Sequence, residues 1–233
     1  MIYSKGKTRE ISFPLGGIGA GGIGLGGDGR LVDWEIFNRA NKGGGNGLSH
    51  FAVRAEKEGK VLDWRVLQGD LAAPYTGPIV PETHVYKGFG WGPLSGSMCG
   101  YPHFREHEFR GEYPVGTVTF GGEEAFPGRA ALTGWSVLIP GNDRDSSLPA
   151  AFFEIELENN SAEALDYTVT GVAANPWREA GHVNRFAENQ LLLESGLAPD
   201  DFNYGMLCLS LLPATGMTLS GQEYWYRGGW CDD

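Results

Sequence analysis

The 233-residue sequence predicts an all-β protein built as a two-layer antiparallel β-sandwich. Three observations carry this. Apolar residues recur mostly with period two, the repeat of a half-buried strand, and not with the 3.6-residue repeat of a helix. No stretch of ten or more residues has a convincing amphipathic helical pattern. Short apolar runs are punctuated by 37 Gly and 13 Pro, while a hydrophobic fraction of 41% is enough for a core. The length suits one sandwich domain over 1–233, with no internal repeat and no linker to divide it.

The chain opens on a glycine run from Phe13 to Arg30. Gly17-Ile-Gly-Ala-Gly-Gly22 satisfies the G-x-G-x-x-G spacing of dinucleotide binders, as do overlapping stretches from Gly19 and Gly22. That spacing cradles a phosphate only between a buried strand and a helix. Here Pro14 precedes it, and Arg30-Leu-Val-Asp-Trp-Glu-Ile-Phe-Asn38, which reads as a strand, follows. The run is therefore expected to be tight turns and close backbone approaches. His50–Glu56 and Val61–Leu67 alternate around Lys57-Glu-Gly-Lys60, predicting a hairpin with Gly59 in its turn. Leu71–Gly100, rich in Pro and Gly, reads as a long ordered loop.

Strands are expected at 113–120, 130–139, 190–195 and 204–212. Ala151–Glu158 sets Phe153, Ile155 and Leu157 opposite Glu154, Glu156 and Glu158, and its expected partner is Leu165–Val172. Glutamates alternating with apolar residues wet the outer face of a strand, so they are not read as a catalytic pair. His103 and His107 stand at i and i+4, which on a helix would face one metal and on a strand would put two rings on one face. A third ligand is lacking, and no metal or other cofactor is expected. No Gly-x-Ser-x-Gly elbow supports a serine hydrolase.

Phe13-Pro-Leu-Gly-Gly-Ile-Gly-Ala-Gly-Gly-Ile-Gly24, Gly27-Asp-Gly-Arg30 and Trp34-Glu-Ile-Phe-Asn38 together resemble the opening of glycoside hydrolase family 116, the family of bile-acid β-glucosidase, or non-lysosomal glucosylceramidase. A second block agrees in order and spacing: Glu112–Phe120, Trp135–Pro140 and Asp145–Asn159. The resemblance covers most of residues 11 to 175. It implies an N-terminal sandwich domain whose catalytic carboxylates lie on an α/α-barrel that this chain does not contain. No catalytic residue can then be placed on this sequence, and the chain alone is expected to be inactive. The partner would be that barrel, in cis or as a separate chain, with a β-glucoside or glycolipid substrate bound through it. The ending at Trp230-Cys-Asp-Asp233, without linker or polar tail, suggests a sandwich short of its last strands. A truncated product, a split gene and one subunit of a two-chain enzyme all fit.

Four residues are candidates for substrate or interdomain contact. Trp34 lies in the first clear strand, where alternation turns it inward. Arg39 and Asn41 follow that strand and precede Lys42-Gly-Gly-Gly-Asn-Gly47; the plainer role for them is to hydrogen-bond the turn itself. Trp91, in Phe-Gly-Trp-Gly-Pro93, offers a flat face on the long loop. The other reading, from a different class, is a free-standing carbohydrate-binding module, which would bind sugar through exposed Trp or Tyr. A net charge of −11 argues against nucleic acid. No apolar run reaches the length of a membrane span. Met1–Glu10 lacks the apolar core of a signal peptide, and Cys99, Cys208 and Cys231 show no C-x-x-C pairing, so the cytoplasm is expected.

Overall fold

A computed structural model describes residues 1–70, 98, 100–122, 125–177 and 181–224. The chain falls into two compact units, Met1–Val172 and a second from Ala173 onward. Both are built from antiparallel strands.

In the first unit, one layer is a five-stranded sheet in the order β1 (Ile2–Ser4), β7 (Glu106–Glu112), β8 (Val115–Gly121), β9 (Arg129–Trp135), β10 (Phe152–Glu158). The other layer is two three-stranded sheets. One is β2 (Ser12–Leu15), β3 (Gly22–Gly26), β4 (Leu31–Glu35). The other is β11 (Asp166–Val172), β5 (His50–Lys57), β6 (Lys60–Val66). Period-two alternation explains the core between them. Phe109, Val118, Phe120, Ala130 and Leu132 point inward from the large sheet and meet Leu15 and Leu25 from one small sheet and Val53 and Ala55 from the other. Fully burying such a Phe, Leu or Val contributes roughly 1.5–3 kcal/mol. Glycines set the closeness of the layers: a Cβ on Gly134 would sit 2.8 Å from a Leu15 methyl, and one on Gly116 2.9 Å from the Phe13 ring.

The expected hairpin is present. Lys57 pairs with Lys60 across Glu58 and Gly59, both at positive φ, as a type I′ turn requires. The glycine run is only partly turns, because Gly22–Gly26 forms β3. Pro14 is accommodated because β2 is an edge strand. His107 lies on a strand, β7, so the helical spacing of the two histidines does not arise.

One pairing is corrected. β10 pairs with β9, and β11 pairs with β5, so Ala151–Glu158 and Leu165–Val172 are not a hairpin. Both strands are apolar on one face, and alternation cannot tell whether the next strand stays in the sheet or crosses to the facing one. The loop between them is held by Asn159, whose side chain accepts from the Ser161 N–H (2.9 Å) and donates to the Glu163 carbonyl (2.7 Å). The chain uses it to change layers. Among the described residues, helix is confined to a 3-10 turn, Lys5–Thr8, and one α-turn, α1 (Asp143–Ser146), capped by the Asn142 side chain accepting from Asp145 N–H.

The second unit is a three-stranded meander, β12 (Val183–Ala187), β13 (Gln190–Glu194), β14 (Met206–Ser210). Trp177 is buried in it and donates its indole N–H to the Asn203 carbonyl at 2.7 Å. Asn175 ties the entering chain to Asn184 (2.9 Å) and to the Glu194 carbonyl (3.2 Å). The predicted long loop and the C-terminal aromatic segment fall largely outside the described residues.

Candidate functional site

Three of the four predicted site residues converge on one structure, the segment that leaves β4. β3 and β4 lose register between Gly22 and Gly24, and opposite that step Asp33 takes φ +50°. This extra residue breaks the alternation, so Asp33 and Trp34 are both buried although they are neighbours. Asp33 becomes the hub. Its carboxylate accepts from the Ser12 hydroxyl at 2.7 Å and from the Gly43 N–H at 2.6 Å, and the Lys42 ammonium stands 3.4 Å away. Glu35 adds a second anchor, accepting from the Asn41 N–H at 3.1 Å and from Lys42 at 2.9 Å.

The charges are tuned accordingly. The Ser12 hydroxyl and the Gly43 N–H hold the Asp33 carboxyl below the usual range, and Lys42 and the Asn41 N–H do the same for Glu35. The Glu35 carboxylate, with Asp33 beside it, raises Lys42. All three stay charged near neutrality, so the loop is pinned by a lysine shared between two anions.

Asn41 donates its side-chain N–H to the Trp34 carbonyl at 3.0 Å, and Gly44 accepts from the Trp34 N–H at 3.4 Å. Residues 41–44 thus cover the free edge of β4. Trp34 spends its indole N–H on the Leu31 carbonyl at 3.2 Å and offers no open face. Arg39 is exposed at the tip, its guanidinium 5.9 Å from the Phe37 ring centroid. Trp91 lies outside the described residues. Asp33, Ser12, Glu35 and Lys42 were not singled out from sequence; the only signal was an acid at a position that alternation would bury or expose depending on an unseen bulge.

The glycine run is locked beside this segment. A Cβ on Gly21 would meet the Glu35 carbonyl oxygen at 2.8 Å. A Cβ on Gly17 would strike the Leu148 carbonyl oxygen and lie 2.6 Å from the Ser147 carbonyl carbon. The Ile18 N–H donates to the Ser146 carbonyl at 2.8 Å, and the Gly16 N–H donates to the Ser136 hydroxyl at 2.7 Å. Two sequence blocks more than a hundred residues apart therefore build one end of the sandwich.

The histidines do other work. His103 Nδ1 contacts the Tyr101 carbonyl at 2.7 Å, and His107 Nε2 contacts the Thr8 hydroxyl at 2.9 Å. Among the described residues no group of three or more His, Cys, Asp or Glu could hold a metal ion. Among the same residues no helix is long and apolar enough to cross a membrane.

The described residues define the class of the protein as an all-β sandwich whose end loop is fixed by glycine contacts and a buried carboxylate hub. Its family is specific. The family described as beta-glucosidase 2, glycosyl-hydrolase family 116 N-term matches residues 12–227, and the chain belongs to it.

Proposed function

We propose that this chain is the non-catalytic N-terminal domain of a β-glucosidase of the glucosylceramidase kind, which packs on a catalytic α/α-barrel and shapes the rim of its pocket. The family match over 12–227 carries the reading. The electrostatics support it. A glycosidase needs one carboxyl raised to serve as acid. Asp33 and Glu35, the acids most firmly held in the candidate site, are both pushed down and spend their oxygens on their own loop. Arg39, exposed at the tip of that loop, is our candidate for contact with the barrel or its substrate. A cytoplasmic location belongs to the same reading, since Cys208 is an exposed free thiol of the kind a reducing compartment tolerates.

The test is hydrolysis of an aryl β-glucoside by the purified 233-residue chain. The expected result is no turnover above buffer. Turnover that survives repurification and disappears in Asp33→Asn or Glu35→Gln would place catalysis in this chain and overturn the proposal.

A further inference from the structure

The two ends of the sandwich in the first unit differ in chemistry. One end carries the β5–β6 turn and the β10–β11 loop, with Lys57, Glu58, Lys60, Glu158, Asn159 and Glu163. It is polar, and Lys57 and Glu163 pair across it at 3.1 Å. The other end gathers the glycine loop 16–21, the β7–β8 turn and the segment 136–150. It exposes apolar side chains from all three: Ile18 at 56%, Tyr113 at 53%, Leu148 at 47% and Ile139 at 45%.

These side chains stand on one fixed surface. Ile18 is hydrogen-bonded to Ser146; the buried Ser146 hydroxyl accepts from the Ile139 N–H at 2.9 Å; and Gly17 lies against the Ser147–Leu148 backbone. The Tyr113 ring packs 6.0 Å from Phe13, and the Pro114 carbonyl accepts from the Ser136 N–H. Single exposed apolar residues are ordinary, but a contiguous cluster on a rigid backbone marks an interaction site. Other exposed apolar side chains lie on β6 (Val61, Leu62 and Trp64) and in the second unit (Phe202, Tyr204, Met206 and Leu212), each group on one stretch of chain rather than gathered from three segments. The outer face of the five-stranded sheet is the large charged surface of the first unit. It presents Glu106, Glu108 and Glu112 from β7 and Glu154, Glu156 and Glu158 from β10. Interface cores are depleted of such charges.

We infer that this apolar end, centred on Ile18, Ile139 and Leu148, is the surface that docks on the catalytic domain of the same glycosidase. The occupant follows from the family, which is defined as the N-terminal part of a β-glucosidase and so implies a catalytic partner domain. The pinned loop with Arg39 lies beside this end, through the Gly21–Glu35 approach, so docking here brings Arg39 to the border of the contact. The inference rests on the packing reading given above.

The test measures association of the purified chain with the catalytic domain of its own enzyme supplied as a separate polypeptide. Ile18→Asp and Leu148→Glu are compared with Lys60→Glu at the polar end, and far-UV circular dichroism and melting confirm that each variant folds. The expected result is at least tenfold weaker binding for either apolar-end variant and less than a twofold change for Lys60→Glu. Should wild type bind while the apolar-end variants bind equally well, the docking surface lies elsewhere and the packing reading stands. Should wild type fail to bind, both fall. Should the same variants abolish only self-association, seen by sedimentation, the surface belongs to a second copy of this chain and the inference is overturned.

Discussion

Asp33 holds the candidate loop in place. It satisfies a backbone N–H and a hydroxyl at once while balancing Lys42. Asp33→Asn keeps the shape, removes the charge and turns a donor toward Ser12 or Gly43. Charge-assisted hydrogen bonds are worth roughly 1.5–3 kcal/mol, so a loss of about 1–3 kcal/mol in urea unfolding is expected. The pKa shifts on folding set the pH dependence. Asp33 and Glu35 are lowered on folding, so their contribution is complete above the ordinary carboxylate range near pH 4 and lost as pH falls through the lower folded values. Lys42 is raised, so its share is present below about pH 10.4 and lost as pH climbs through its folded value. The Gly43 amide shift, followed by NMR, should therefore move only below about pH 4 and above about pH 10; a midpoint near 6 would contradict this network.

His107 behaves oppositely to a salt-bridged histidine. The Thr8 hydroxyl donates to the Lys5 carbonyl at 2.9 Å, so His107 Nε2 must donate to Thr8, and Nδ1 carries the lone pair. Nδ1 is buried with no hydrogen-bond partner, above Gly69. Burial lowers its pKa, against the attraction of Asp28, Glu106 and Asp70 and with the repulsion of Arg30. Its contribution is therefore whole above about pH 6.5 and lost as pH falls from there toward the folded value. Burial acts in the same direction on His50. His107→Gln retains a donor for Thr8 and should remove part of the stability slope below about pH 6.5, leaving the share of His50. An unchanged slope would show that the ring is not held neutral.

At the scale of elements, the glycine loop and α1 are one unit. Gly17→Ala would press a methyl into the Ser147–Leu148 backbone, which cannot yield as a side chain can. A cost of about 1–3 kcal/mol is expected, in line with overpacking elsewhere. Gly45→Ala, with open space around its Cβ, should shift the unfolding midpoint negligibly. Equal effects in the two variants would mean that the loop does not rest on α1. The same elements show what the sequence reveals and what it hides. The hairpin around Gly59 was legible because turn chemistry and alternation are both local. The partners of Phe152–Glu158 and Asp166–Val172 were not, because an apolar face looks the same whether a strand continues its sheet or crosses to the other layer. β3 was hidden inside the glycine run, since residues without side chains give no alternation to read. The site was half legible. Arg39 and Asn41 stood out as polar residues before a flexible stretch, whereas Asp33 is set by a bulge that leaves no sequence mark.

For the whole molecule, the first unit has one apolar end and one polar end, and both sequence blocks that resemble the family feed the apolar one. Under the proposed function, the apolar end is where the sandwich would meet the catalytic domain. Hydrogen exchange of the chain with and without the catalytic domain of its enzyme, read by mass spectrometry, tests this most directly. Slowed exchange is predicted for amides in 16–21, 113–115 and 138–149, with none at 57–60 or 158–166. Protection confined to the polar end, or none anywhere, would contradict it.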